Sequence, residues 1–289
     1  MRHLFPDTFL ASLGRLSLAV GDAPRGARAG AHLSRAAGSS LEFRDYQAYA
    51  PGDDLRRVDW NVYGRTRHLF VRQFERPTAV PVHLLVDASA SMQVETPSRY
   101  ATAARAAAAV AAAALASHNP VHLRITSGSP TTAARQVAGR RGLANVLAEL
   151  ARPRTPGGTV AGALRSLSHR ATGVLVVISD FFEPAGVDVL VGALRLVPHR
   201  LVLLRVTQPG DADPTMSGHR ELRDCESDAR LNVLADEGAR RRYRSAYRAY
   251  FDVLDGFAAA RGARVAKLDA AADTLPQLEP LFPAGVLSL

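Results

Sequence analysis

Three short stretches of the chain carry side chains that could together hold a hard metal ion. Asp87-Ala88-Ser89-Ala90-Ser91 follows a short apolar, β-branched run. Pro156-Gly157-Gly158-Thr159 precedes a helical stretch. Ser179-Asp180 closes the apolar run Val174–Ile178. Carboxylates and hydroxyls are hard oxygen donors. They suit Mg²⁺ or Mn²⁺, or Ca²⁺ with looser geometric demands, and not zinc or copper. In an Asp-x-Ser-x-Ser turn, residues 87, 89 and 91 share one side, so two serine hydroxyls can reach one ion. Asp87 can orient their hydrogen bonds, or a bound water, from behind. Gly157 and Gly158 let the backbone at Thr159 approach closely. Such a set is poor in charge and leaves a coordination position open, for which a partner's carboxylate is the natural occupant. Alone, Asp87 also reads as a helix N-cap and Asp180 as an ordinary loop carboxylate. The three stretches together weigh for the metal.

These residues need a scaffold, and the chain supplies an α/β rhythm. Strands are expected at 82–86, 121–126, 173–178 and 201–206, and helices at 98–117, 143–150, 159–168 and 187–196. Strands apolar throughout and alternating with helices imply an α/β fold: a doubly wound, mostly parallel sheet with helices on both faces. Ligands of such sheets bind outside the carboxyl ends of the strands, near the switch point, where all three stretches fall. Beyond Pro209 the spacing predicts a hairpin over 219–236, a helix over 237–260, a strand over 264–268 and a last helix over 275–281. Tyr243, Ala246, Tyr247, Tyr250 and Leu254 fall on one face of the long helix and read as core.

The reading divides the chain into an N-terminal segment (1–78), a central core (79–208) and a C-terminal strand–helix extension (209–289) that completes the sheet. Met1–Val20 reads as an amphipathic helix, with Phe5, Phe9, Leu13 and Leu16 at helical spacing. A loop rich in Gly and Arg (24–30) and a short possible helix ahead of 36–40 follow. Residues 41–75 are dense in charge and aromatics, with a turn at Pro51-Gly52-Asp53-Asp54 and a strand at 68–74. Trp60 is expected to pack and anchor this block. Arg44 and Arg65 are expected to pair with Asp54 or Asp59.

Composition narrows the function classes. The 289 residues carry a net charge of +9, nearly all of the positive charge as Arg. The Arg residues are spread along the chain, as on a generally basic surface. The single cysteine, Cys225, excludes an internal disulfide and a Cys-based zinc site. The Ala-rich run 101–116 is short of the roughly 20 residues a membrane span needs and contains Arg105. No signal peptide and no membrane span are expected, and a cytoplasmic location fits.

An enzyme is not expected. An aspartyl phosphatase needs a second acid two residues after the first, where this chain has Ser89. There is no Gly-x-Ser-x-Gly elbow and no phosphate loop; the lone Lys267 is far down the chain. A metal-dependent hydrolase or phosphotransferase on the same sheet edge stays the enzymatic alternative. An Arg-mediated nucleic-acid binder, built on Arg240-Arg241-Arg242, Tyr243 and Arg244, is a third reading, though nucleic acid is not the expected partner.

Asp-x-Ser-x-Ser, then Gly-Gly-Thr, then Ser-Asp after an apolar strand, in that order, resembles the metal-ion-dependent adhesion site of the von Willebrand factor A domain. The resemblance implies that Ser89, Ser91 and Thr159 ligate the metal and that Asp87 and Asp180 bind it largely through water. It implies Mg²⁺ as the ion, with Mn²⁺ or Ca²⁺ as substitutes, and a protein partner that offers Asp or Glu. A second block is similar to the bacterial family called domain of unknown function 58. It comprises Glu42–Tyr46, Tyr49-Ala50-Pro51-Gly52-Asp53-Asp54-Leu55-Arg56-Arg57-Val58-Asp59-Trp60, Arg65 and Val71–Glu75, followed by the strand and its aspartate. Ser179-Asp180-Phe181 suits that family too. This resemblance spans roughly residues 35–260 and implies a partnership with a MoxR-type AAA+ ATPase.

Overall fold

The computed structural model describes residues 4–22, 42–75, 79–94, 98–126, 135–137, 142–153, 155–167 and 173–281. The loop expected at 24–30 and the short helix expected ahead of 36–40 lie outside them. The chain forms two compact units: one of residues 24–79, the other of residues 1–23 with 80–289. Helix α1 (Asp7–Asp22) therefore belongs to the larger unit.

In the smaller unit β1 (Glu42–Ala48) and β2 (Phe70–Glu75) pair antiparallel, with an irregularity between Phe43 and Asp45. Between them lie a single 3₁₀ turn (Leu55–Arg57) and α2 (Trp60–Thr66). The acidic residues of this block act mainly as caps. Asp54 accepts the Arg56 amide at 3.0 Å, and Asp53 accepts the Ala50 amide at 2.9 Å. The buried Asp59 carboxylate takes the amides of Asn61 (2.9 Å) and Val62 (3.2 Å) and the Tyr46 hydroxyl (2.8 Å). Short polar side chains at helix starts serve the unpaired amides there; the Arg44 side chain, expected to pair with Asp54 or Asp59, lies outside the described residues. Trp60 departs from expectation: it is 61% exposed, and its ring meets Tyr63 edge-on. It opens a two-turn helix that has no buried residue, so it has no core to anchor.

The larger unit is built on β3 (Val82–Val86), β4 (Val121–Ile125), β5 (Arg135–Val137), β6 (Val174–Ser179), β7 (Arg200–Thr207) and β10 (Arg264–Asp269). Their order across the sheet is β10-β7-β6-β3-β4-β5. Five strands are parallel and the edge strand β5 is antiparallel. The sequence reading missed β5, whose three residues give no periodicity to detect. Alternate strand residues feed two cores. Val82, Leu84, Val86, Val176, Ile178 and Leu204 face α1, α3 (Arg99–Ala116), α4 (Gly142–Leu150) and α8 (Thr274–Leu278). Leu85, Leu175, Val177 and Leu203 face α5 (Val160–Arg165), α6 (Val187–Arg195) and α7 (Glu237–Arg261). With both faces covered, the central strands are predominantly apolar. Helix α3 is buried nearly all round, between the sheet and α1, α4 and α8. A helix so enclosed is apolar on every side, and its alanines are small enough to share the space. Antiparallel β8 (Gly218–Arg223) and β9 (Arg230–Ala235) form a separate hairpin.

The first strand of this sheet, β3, is central, and the chain builds outward from it in both directions. The ends of β3 and β6, neighbours with connections running to opposite sides, form the crevice in which doubly wound sheets bind ligands.

Candidate metal site at the sheet switch point

Asp87 stands directly at the end of β3. Its amide donates to Ile178 O at 2.9 Å and so continues the pairing of β3 with β6. Its buried carboxylate is fully engaged. Oδ1 accepts the Ser89 amide at 2.9 Å and the Thr126 hydroxyl at 3.0 Å, and Oδ2 accepts the Ser179 hydroxyl at 2.5 Å. Thr126 Oγ1 accepts the Ala88 amide at 2.7 Å, and Ser179 Oγ accepts the Phe181 amide at 2.8 Å. Asp87 is thus no helix cap: the chain turns through 89–94, and α3 starts only at Arg99. Asp87 instead holds together a turn and the ends of three adjacent strands.

The turn that Asp87 shapes brings Ser89 Oγ and Ser91 Oγ within 3.0 Å of each other. Asp180, one residue past β6, is 1% exposed. Its Oδ1 accepts the Phe182 amide at 3.1 Å, while Oδ2 is buried with no hydrogen-bond partner. Burial and the Asp87 charge push its carboxyl up to about 7, against the Phe182 amide, the Ser91 hydroxyl and the Arg99 charge. Two buried carboxylates close enough for one to raise the other's pKa, one of them with an unpartnered oxygen, make a site short of positive charge.

Thr159 has a different immediate task. It is the N-cap of α5, and its Oγ1 accepts the Gly162 amide at 3.0 Å. Gly157 (φ 144°) and Gly158 (φ 74°) lead into it with backbone angles that a side chain would disfavour. Among the described residues no hydrogen bond links Thr159 to Ser89, Ser91 or Asp180. The start of α5 is tied to the Asp180 loop by Glu183, whose Oε2 accepts the Ala161 amide at 3.2 Å. Tyr250 locks the same loop: its hydroxyl accepts the Glu183 amide and donates to Phe181 O, both at 2.9 Å. Phe181 sits between with φ 62°, rare for a bulky residue, and fully buried. So Asp87, Ser89, Ser91 and Asp180 share the crevice, and Thr159 borders it from α5.

Sequence reasoning missed three residues and gave Ser179 no role of its own within the Ser179-Asp180 stretch. Thr126 and Ser179 orient Asp87; Thr126 directly follows β4, so the strand-end rule that picked out Asp87 could have found it. Arg99, nearly buried, donates to Ser91 O at 3.2 Å and to Asp211 Oδ1 at 2.5 Å. It thereby joins the serine loop to the segment after β7. Glu226, in the β8–β9 turn, accepts the Ser91 amide at 2.9 Å through Oε1. Next to it, Cys225 is exposed; partial burial, then the charges of Glu226, Asp224 and Asp180, push its thiol up. No local sequence signal announces contacts across such separations.

Among the described residues no group of three or more His, Cys, Asp or Glu could hold a metal ion. The donors that converge are two carboxylates and two hydroxyls, a set for a hard cation that keeps waters or awaits a further ligand. The hydroxyl separation of 3.0 Å matches two adjacent ligands of an octahedral Mg²⁺, which at about 2.0–2.1 Å from the ion lie about 2.9 Å apart.

The family described as "Protein of unknown function DUF58" matches residues 43–251. Uncharacterized proteins of Mycobacterium bovis and Mycobacterium tuberculosis are 31% identical over 227 residues, covering 75% of this chain and 71% of theirs. Two solved structures show a distant likeness. The conserved hypothetical protein BatB from Bacteroides thetaiotaomicron has a TM-score of 0.40 and 18% identity, over 70% of this chain and 95% of that one. An aerotolerance-related membrane protein from Bacteroides fragilis has a TM-score of 0.40 and 16% identity, over 70% and 96%. Among the described residues of the present chain, no helix is long and apolar enough to cross a membrane.

Proposed function

We propose that this chain, which belongs to the DUF58 family of proteins of unknown function, is a metal-dependent protein-recognition module with a von Willebrand factor A-type core. The observation that carries the reading is the pairing of an unsatisfied, buried Asp180 Oδ2 with the neighbouring Ser89 and Ser91 hydroxyls over the end of β3. Unpaired buried carboxylate oxygens are costly, and a divalent cation removes that cost. Ser89 and Ser91 would hold the ion directly, with Thr159 from the α5 side. Asp87 and Asp180 would hold its waters. Mg²⁺ suits the hydroxyl spacing better than the larger Ca²⁺. The bound ion would supply an attachment point for a carboxylate, so the partner is a protein presenting Asp or Glu. The family resemblance implies a MoxR-type AAA+ ATPase as that partner, and the pair is proposed to work in the cytoplasm.

The basic stripe of α7 favours this reading over nucleic-acid binding. Arg240 pairs with Glu237 at 2.8 Å, and Arg244 spans Glu237 and Asp213 at 2.6 and 2.9 Å. Arginines committed to carboxylates are poor phosphate ligands.

The test is calorimetric titration of Mg²⁺ and Mn²⁺ into the wild type and Asp87→Asn. It is followed by capture of a purified MoxR-type ATPase in Mg²⁺ or EDTA. Binding of the ion by the wild type and its loss in the variant support the site. ATPase capture lost in EDTA and in Asp87→Asn supports its use. Ion binding that is equal in both proteins, or absent from both, overturns the site. ATPase capture indifferent to EDTA overturns the mechanism.

A further inference from the structure

Helix α2 buries none of its residues, yet it carries the chain's only tryptophan. Trp60, Tyr63, Gly64 and Arg67 recur at the i, i+3, i+4, i+7 spacing that places residues on one helical face. Trp60 is exposed and its ring meets that of the half-buried Tyr63 edge-on. Arg67, also exposed, closes the helix by donating its amide to Tyr63 O. At Gly64 a side chain would meet nothing within 4 Å, so the middle of this face is open.

The charges of this stretch are one-sided. Between Leu55 and His68 the sequence holds four arginines and one acid, Asp59. Asp59 is buried, with the Asn61 and Val62 amides and the Tyr46 hydroxyl on its carboxylate. Arg56, Arg65 and Arg67 are exposed and form no ion pair among the described residues. The arginines of α7 differ, since Glu237 and Asp213 hold Arg240 and Arg244. Leu55, which opens the 3₁₀ turn ahead of α2, is itself 55% exposed. Exposed apolar groups thus lie among cations with free stems.

That combination selects a kind of partner. A tight protein contact gains from side chains held in place beforehand. Unheld arginines suit a charge that is spread over a surface and not fixed at one point. An indole at the boundary of a bilayer keeps its N–H among the headgroups while its rings leave water. Arginine stems lie along the same boundary with their guanidinium groups at the phosphates. Basic residues beside exposed Trp and Leu are the chemistry of a surface rich in anionic lipid.

We infer that the α2 face of Trp60, Tyr63 and Arg67, with Leu55, Arg56 and Arg65 close by in the chain, docks on an anionic phospholipid surface. The contact is peripheral: Trp60 and Leu55 enter the headgroup layer and the arginines engage phosphates. Charge and a small apolar insertion are each weak alone, and together they give reversible attachment. The inference concerns the smaller unit alone and does not depend on the metal site proposed above.

As the only tryptophan, Trp60 is its own probe in the full chain. Vesicles of phosphatidylcholine and phosphatidylglycerol in equal parts are compared with vesicles of phosphatidylcholine alone. The mixed vesicles are expected to co-sediment the protein and to shift Trp60 emission to the blue, and the neutral ones to do neither. Added salt should reverse both effects. Arg56→Gln, Arg65→Gln and Arg67→Gln are each expected to weaken binding about five-fold, and Trp60→Ser to weaken it with the salt dependence kept. Because α2 buries none of its residues, these variants are expected to keep the urea midpoint of the wild type. A charge-matched control with Arg241→Gln, Arg242→Gln and Arg248→Gln, at exposed positions of α7, is expected to bind as the wild type does. A wild type that ignores the mixed vesicles, or sediments with them while its emission stays unchanged, overturns the inference. So does a control that weakens as much as the triple α2 variant, because the binding then belongs to the basic surface at large. Emission that shifts with a purified MoxR-type ATPase and not with vesicles assigns the face to a protein and overturns the lipid contact.

Discussion

The Ser179 hydroxyl donates to Asp87 Oδ2 at 2.5 Å, joining residues 92 positions apart. This one bond fixes the ends of β3 and β6 to each other and turns the Asp87 carboxylate toward the serine turn. The same Ser179 oxygen accepts the Phe181 amide, which supports the left-handed backbone at Phe181 and so the direction in which Asp180 leaves the strand. Ser179→Ala removes a donor from one buried group and an acceptor from another. It is expected to cost roughly 1–3 kcal/mol of stability, read by urea unfolding, and to weaken Mg²⁺ binding about ten-fold. A variant as stable as the wild type would show that Asp87 is oriented by Thr126 and the Ser89 amide alone.

Asp180→Asn is expected to act in the opposite direction on stability. The wild-type carboxyl is buried beside Asp87 and pushed up to about 7, so its ionised form burdens the metal-free fold. The isosteric amide carries no charge. Near pH 8 in EDTA, the variant is expected to be more stable than the wild type by on the order of 1–2 kcal/mol. Saturating Mg²⁺ should raise the melting temperature of the wild type and leave the variant unmoved. A variant less stable than the wild type in EDTA would mean that Asp180 is paired in the metal-free protein.

The parallel sheet was legible because burial on both faces imposes an unmistakable pattern. Val174–Ile178 has no polar residue, Val82–Val86 and Leu201–Val206 are each broken once, by His83 and Arg205, and each became a strand. The antiparallel β5 was not legible, because three residues at a sheet edge bury too little to constrain composition. The sequence reading assigned no element to residues 42–48, which form the strand β1, paired with β2 rather than marked by apolar alternation. The crevice residues after β3 and β6 were legible because the strand-end position is fixed by fold. Thr159 shows the limit of that rule: its hydroxyl caps α5, a role that sequence cannot separate from ligation. Trp60 was misplaced because residue type alone says nothing of whether a short helix has a core to face. Glu226 and Arg99 act across the fold, and only the assembled chain brings them to Ser91.

Acid should weaken the fold at the histidines stacked between β3 and β4. His83 on β3 stacks on His122 of β4 at 4.6 Å and meets His199 edge-on at 4.7 Å. Burial, then the charges of His199, His122 and Arg124, lower its pKa to about 4. An unfolded chain protonates this histidine near 6.5 while the folded chain resists until about 4, so the unfolded state binds more protons in between. The contribution is present above pH 6.5 and is lost as pH falls through 4. With half of the shift discounted for partial exposure, the loss is roughly 1–2 kcal/mol. Urea midpoints measured from pH 7 to 4 should fall less steeply in His83→Gln than in the wild type. Parallel curves would assign the acid sensitivity to other groups.

Arg99 is the remaining lever on the serine turn. Nearly buried, it bridges Ser91 O and Asp211, and Asp211 also accepts the Gln208 amide at 2.8 Å while its carbonyl accepts the Tyr243 hydroxyl at 2.8 Å. The guanidinium fork thereby couples the turn that carries Ser89 and Ser91 to the loop leading into the hairpin. Arg99→Ala leaves the Asp211 carboxylate without its cation, and breaking a buried pair in this way is expected to cost about 3–5 kcal/mol. Arg99→Lys keeps the charge but cannot reach two acceptors in different directions. It is expected to retain most of the stability and still loosen the turn, seen as faster amide exchange at Ser91 and weaker Mg²⁺ binding. Lysine restoring ion affinity to the wild-type level would show that Arg99 acts through its charge, and that the bond to Ser91 O does not position the turn.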